Sequence, residues 1–171
     1  MRIISISQEE CSELLKRVSV GRLACSLDNQ PYVVPVRFSY EPDCLYIFST
    51  VGKKIEWMRQ NPKVCLQADE IGNRWNWISV IVTGTYLELN VPQYHTAQRE
   101  HARERLAAQC SEWWRIPLSE ARDRSLVSSI ETVFFRIDIK SMSGLRAVPE
   151  AEEDERAIEG PLRDFIEKTV I

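Results

Sequence analysis

Lys53 and Lys54 follow Gly52 at the head of a segment, KKIEWMRQ, whose composition predicts a short helix stopped by Asn61-Pro62. A helix N-terminus carries about +0.5 elementary charge, which favours anions there and disfavours lysines. Two cations beside unpaired backbone N–H groups therefore point to a visiting anion, most naturally a phosphate. Arg37 and Ser49, on the two extended runs before the helix, are placed to reach the same point. The arginine would add a fork suited to phosphate oxygens, and Ser49 and Thr50 would add hydroxyls. The competing reading is a surface helix with two solvated lysines, since exposed lysine pairs are common.

Other chemical signatures are missing. There is no G-x-G-x-x-G, and Gly52-Lys53-Lys54 lacks the upstream glycine and following Ser or Thr of a Walker A loop. No G-x-S-x-G elbow occurs. His95 and His101 are six apart on a predicted helix, hence on different faces, and cannot jointly hold a metal. With two histidines in all, a His-based acid–base or nucleophilic mechanism has no support. No catalytic side chain and no metal-ligand set is assigned. The five cysteines, Cys11, Cys25, Cys44, Cys65 and Cys110, are odd in number, widely spaced and without a C-x-x-C pair. That argues against a disulfide framework or a zinc site. Cys25, Cys44 and Cys65 lie in apolar runs, where a free thiol acts as a small buried hydrophobe. A reducing, cytoplasmic compartment is the expectation.

The elements that must position these residues follow from pattern. With 171 residues, 44% hydrophobic, one domain is expected. A net charge of −3 leaves no global basic field for nucleic acid. No run of apolar residues is long enough for a membrane helix, and the N-terminus turns charged too soon for a signal peptide. Ser7 and Glu10 form a capping-box pattern, and Cys11, Leu14, Leu15 and Val18 give the helix behind them an apolar stripe ended by Val20-Gly21. Extended runs follow at Gly21–Leu27, Pro31–Tyr40 and Cys44–Thr50, the last two a hairpin across Glu41-Pro42-Asp43. Pro31 and Pro35 remove backbone donors and place their strand at an edge or bulge.

After the Lys-bearing helix come strands at Lys63–Asp69 and Trp75–Asn90, where Gly84 marks a bulge or bend. A helix over Val91–Gln109 and a last strand, Thr132–Ile139, complete the set; Ser111–Ser128 gives no firm pattern apart from a break at Pro117. About six strands with peripheral helices predict a mainly β, α+β fold, a single antiparallel barrel over residues 1–149. An acidic tail over residues 150–171, with a short helix on Leu162, Phe165 and Ile166, is expected to pack on the same domain. Of the five tryptophans, Trp75 and Trp77 share a strand face and could pave the barrel wall or a pocket. Trp113 and Trp114 cannot both point inward, so one is free to meet a partner subunit or a planar ligand.

Taken together, VGRLACSLDNQPYVVPVRFSY, LYIFSTVGKKIEWMRQNPKVCL and WISVIVTGTYLEL resemble the pyridoxamine-phosphate-oxidase-like, FMN-binding split-barrel family. The likeness covers roughly Val20–Leu89 and is nearest in form to small flavoproteins similar to nitroimidazole-resistance proteins. No counterpart of the oxidases' C-terminal substrate-binding arginine and histidine pattern is visible. The resemblance implies a six-stranded split barrel, a homodimer, and FMN held between protomers. It implies that Arg37, Lys53 and Lys54, with Ser49 and Thr50, grip the FMN phosphate. Pro35, Val36, Arg37 and Phe38 would run beside the isoalloxazine ring, with Phe48 near it and Ser79 approaching from the next strand. It further implies an oxidoreductase that takes a hydride from a reduced nicotinamide or another donor and reduces a small acceptor. A non-catalytic flavin, deazaflavin or haem module stays open beside it, as does a plain interaction protein with an empty barrel. A flavin enzyme needs no protein nucleophile, because the hydride chemistry belongs to the cofactor.

Overall fold

Alternation of apolar residues along the strands sends one row of side chains from each to a shared interior. Leu23 and Cys25, Val36 and Phe38, Leu45 and Ile47, Val64 and Leu66, Val80 and Val82, and Phe135 and Ile137 are all buried there. The computed structural model describes residues 1–89, 92–109 and 131–149. The elements are β1 (Arg2–Ile6), α1 (Gln8–Arg17), β2 (Val20–Leu27), β3 (Gln30–Glu41), β4 (Cys44–Thr50), α2 (Lys53–Gln60), β5 (Lys63–Asn73), β6 (Asn76–Glu88), α3 (Pro92–Gln109) and β7 (Thr132–Val148). The readings made for Ser111–Ser128, Trp113, Trp114 and the tail 150–171 lie outside the described residues.

The sheet runs β7-β4-β3-β2-β5-β6, antiparallel throughout, and β6 pairs back onto β7 to close a ring of six strands. This is the expected six-stranded antiparallel architecture, with helices outside it. A seventh strand, β1, was not expected; it pairs with the far half of β7, as in Ser5 opposite Leu145. β7 is also longer than the Thr132–Ile139 foreseen, because it serves β4 with its first half and β1 with its second. The β2–β3 turn puts Asp28 and Asn29 at φ 50° and 62°, the two left-handed residues a type I′ hairpin requires.

Helices stop the two ends of the ring. α1, held by the Ser7–Glu10 capping box, buries Cys11, Leu14 and Leu15 at the end marked by Tyr40, whose hydroxyl donates to Ser12 Oγ. α2 buries Ile55 and Met58 at the other end, where Asn61 Nδ2 donates to Ser26 O and Arg59 is paired with Glu88. α3 lies outside, covering Cys44, Tyr46 and Phe134 with Ala102 and Leu106. α1 ends at Arg17, short of the expected Val20-Gly21, while Gly21 lies within β2 as expected, where a Cβ would come within 2.9 Å of Gln67 O. Gly21 therefore permits close approach of two strands rather than a helix stop.

At Gly84 the expected bulge is present: register shifts between Thr83 and Gly84. A Cβ there would meet Ile137 Cγ2 at 2.5 Å and the Asp138 carbonyl oxygen at 2.6 Å. Gly84→Ala is accordingly expected to lower stability by about 1–3 kcal/mol in urea unfolding. An unchanged midpoint would mean that β6 and β7 are not packed this closely.

Candidate functional site

β3 and β4 exchange partners only from Glu41 opposite Cys44 to Phe38 opposite Ile47. Beyond that point they part: β3 continues along β2 to Gln30, while β4 continues along β7 to Thr50. The result is a split in the wall, with α2 hung from the free end of β4. Residues Pro31 to Arg37 of β3 have no strand on the side away from β2 among the described residues. Their outward edge can therefore offer backbone N–H and C=O groups to a ligand.

The start of α2 fits an anion. Its N-cap, Gly52, makes no side-chain capping bond, so the first turn keeps donors unfilled by the protein. A Cβ on Gly52 would meet nothing within 4 Å, and its backbone is extended rather than left-handed. The fold itself does not demand glycine there; a group approaching closely would. Lys54 is half-buried, and burial pushes its ammonium below the ordinary lysine range, with Cys25 the other group acting on it. Among the described residues no carboxylate acts on it, and a desolvated cation of this kind is stabilised by an arriving anion. Lys53 is exposed, and its amine sits 4.5 Å from the Trp57 ring centroid and 4.9 Å from that of Tyr32. Such contacts contribute about 0.5–1 kcal/mol each and leave the ammonium hydrogens free to donate.

The other expected residues are spread along the split. Ser49 donates its hydroxyl to the Thr50 carbonyl, and both stand at the free end of β4. Arg37 faces outward and donates through Nη1 to Ser19 Oγ at 3.1 Å. It stands five positions along β3 from Tyr32, roughly 16 Å at strand rise, so the three cations do not converge on one point. Phe48 also faces outward and packs against Phe134 at 4.7 Å. Val36 and Phe38 point into the core, the latter fully buried, so only their backbone can line the split. Pro35 is exposed on the outer face opposite Arg22. Ser79 faces outward as well, but β6 lies three strands from β3, about 14 Å, so one chain does not bring it to the split.

Two similarities decide the family. The sequence pattern of pyridoxamine 5'-phosphate oxidase matches residues 7–146. An uncharacterised protein of Rhizobium meliloti (strain 1021) is 37% identical over 142 residues, 83% of this chain and 93% of the relative. The chain belongs to the pyridoxamine 5'-phosphate oxidase-like family. Among solved structures, a FAD-binding protein of Mesorhizobium loti superposes with a TM-score of 0.71 at 44% identity, covering 86% of this chain and 99% of that one. A putative 5-nitroimidazole antibiotic resistance protein of Bacteroides thetaiotaomicron has the same fold, with a TM-score of 0.62 at 18% identity over 85% of this chain and 89% of that one. The split barrel is thus the fold of this family member.

Sequence reasoning missed two groups of polar residues. Trp57 stands four places after Lys53, a helical spacing that could have signalled their contact. On the outer wall, Asp69 Oδ1 and Gln67 Oε1 both accept from Arg22 Nη1 at 2.8 Å, and Gln67 Nε2 donates to Ser79 Oγ at 3.0 Å. Arginine has no acceptor, so it fixes the Gln67 amide, which in turn leaves the Ser79 hydroxyl proton free to donate outward. No local motif announces this chain, because it depends on β2, β5 and β6 lying side by side.

The strain on Lys54 gives a test. Lys54→Met is expected to leave the thermal midpoint of the ligand-free protein unchanged or higher, because a desolvated charge is removed. The same variant should bind FMN about tenfold or more weakly, the cost of losing a charge-assisted contact. Lower stability with unaltered FMN binding would remove Lys54 from the site.

Proposed function

We propose that this protein binds a flavin in the split between β3 and β4 and acts as an oxidoreductase. The observation that carries the reading is the pairing of an uncapped, lysine-bearing helix start with an unpaired strand edge. The flavin phosphate lies at Gly52, Lys53 and Lys54, with Ser49 and Thr50 as hydroxyl donors. The ring lies along Pro35, Val36, Arg37 and Phe38, with backbone groups facing its polar edge and Phe48 beside it. The distance between Lys53 and Arg37 supports an extended ligand: one cation group serves the phosphate, and Arg37 serves the far end. The flavin is FMN in this reading. The FAD-binding protein of Mesorhizobium loti, at 44% identity, favours FAD as the alternative.

The site is completed by a second copy of the chain. Ser79 is too far from the split of its own protomer, yet the polar chain from Arg22 holds its hydroxyl ready on the outer wall. Around it, Ile81 and Leu145 are 45% and 46% exposed, an apolar surface suited to a homodimer that places Ser79 against the partner's flavin. When bound, the flavin supplies hydride transfer from a reduced nicotinamide donor to a small, planar acceptor. The protein's part is to bind, orient and exclude water, which accords with the absence of a nucleophile–base pair from this reading. A cytoplasmic setting suits the cysteines: burial pushes the Cys11, Cys25, Cys44 and Cys65 thiols up, away from reactive thiolates.

Anaerobic mixing of the flavin-loaded protein with NADPH or NADH separates an enzyme from a cofactor-holding module. Bleaching of the oxidised flavin absorbance within seconds to minutes, reversed by air or an acceptor, is the expected result. A bound flavin that neither donor reduces, and that passes no electrons to an acceptor after chemical reduction with dithionite, would leave a storage or sensing module.

A further inference from the structure

The outer wall of β2, β5, β6 and β7 carries a groove of about 550 Å³ that the flavin reading does not use. Lys63 on β5 and Lys140 on β7 stand on either side of Thr83 and Thr85 on β6, over an apolar floor that includes Cys65. Lys140 reaches this face because of the bulge. Ile139 opposes Gly84 and Ser141 opposes Thr83, which leaves Lys140 as the extra residue between them. Ile139 and Met142 both pack against the core, while the Ser141 hydroxyl bonds that of Thr83 on the outer face at 2.7 Å. Strict alternation fails between positions 139 and 142, and both Lys140 and Ser141 face out. Bulges re-aim side chains in this way beside binding sites.

Among the described residues, the charges in the groove are uncompensated. Both lysines are exposed, and among the described residues neither has a carboxylate partner. The nearest acid on β7, Asp138, is already paired with Arg136 at 2.7 Å. Two ammonium groups flanking threonine hydroxyls make a point-charge site for phosphate oxygens. The apolar floor and the volume suit an organic body attached to that phosphate, within the usual range for small-molecule sites. We propose that this groove binds an organic phosphate of the nucleoside 5'-phosphate class. The source that fits is the adenylate half of a nicotinamide dinucleotide donor; in a flavin dinucleotide the adenylate phosphate is bonded to the flavin phosphate, and Lys63 stands beyond the whole of α2 from Lys53, about 12 Å of helix. The groove begins at Pro31 on the outer face of β3; the next residue, Tyr32, on whose ring Lys53 rests, faces the interior.

The test is calorimetric titration of the purified full chain with adenosine 5'-monophosphate, beside adenosine as the uncharged control. The phosphate-bearing probe should bind at least about tenfold more tightly than adenosine. The Lys63→Gln, Lys140→Gln double variant should lose about tenfold or more of that affinity, with FMN binding and thermal midpoint unaltered. Lys140→Arg should retain most of the binding. NADPH binding weakened in the double variant, with FMN binding unaltered, assigns the groove to the donor. Adenosine binding as tightly as its phosphate, or phosphate binding that the double variant leaves unchanged, would overturn the proposal. That failure is separable from failure of the flavin site, which Lys54→Met reports.

Discussion

Backbone hydrogen bonding between the two central strands stops at Phe38 and Ile47, and the functional geometry depends on that parting. A fully zipped β3–β4 pair would have left no strand edge for a ligand and no gap for the start of α2. The parting costs the unmade ladder bonds, and the rest of the fold compensates. β4 finds β7 over its whole length, β3 finds β2 from Gln30 to Arg37, and the helices at both ends bury apolar side chains that would otherwise face water. Closure through β6 and β7 pairs the two outer strands of the ring with each other and leaves the split as the ring's open edge.

Charge follows the same logic. Most arginines near the ring ends are committed to carboxylates: Arg17 to Glu70, Arg22 to Asp69, and Arg59 to Glu88. These pairs contribute little stability individually, being exposed, but the first and last tie α1 and α2 to the ring ends, and Arg22–Asp69 ties β2 to β5 on the outer wall. The lysines at the head of α2 are treated differently. Lys53 lies on aromatic faces, and Lys54 is drawn from water without an opposing carboxylate among the described residues. A binding protein is expected to leave cations unneutralised where its ligand will supply the counter-charge, and to neutralise them elsewhere.

The ring strands were legible from period-two rows, such as Val64, Leu66 and Ala68 or Val133, Phe135 and Ile137, or, in β4, from a continuous apolar run after turn residues. β1 was not, because four of its five residues are exposed and only pairing with distant β7 makes it a strand. The second half of β7, KSMSGLRAV, hides its alternation behind the bulge at Lys140. The lysine pair was legible as an anomaly of helix electrostatics. Its separation from Arg37 was not, since that distance follows from where β3 and β4 part. The Arg22–Gln67–Ser79 chain was also hidden: three residues from three strands become neighbours only once the sheet order is known.

The most direct measurement is the visible absorption spectrum of the freshly purified protein, with chromatography of whatever heat releases from it. The account predicts the two-band spectrum of an oxidised flavin and release of FMN or FAD in near one-to-one ratio with the chain. A colourless protein that takes up neither flavin when it is added, or one whose colour is a haem Soret band, would contradict it.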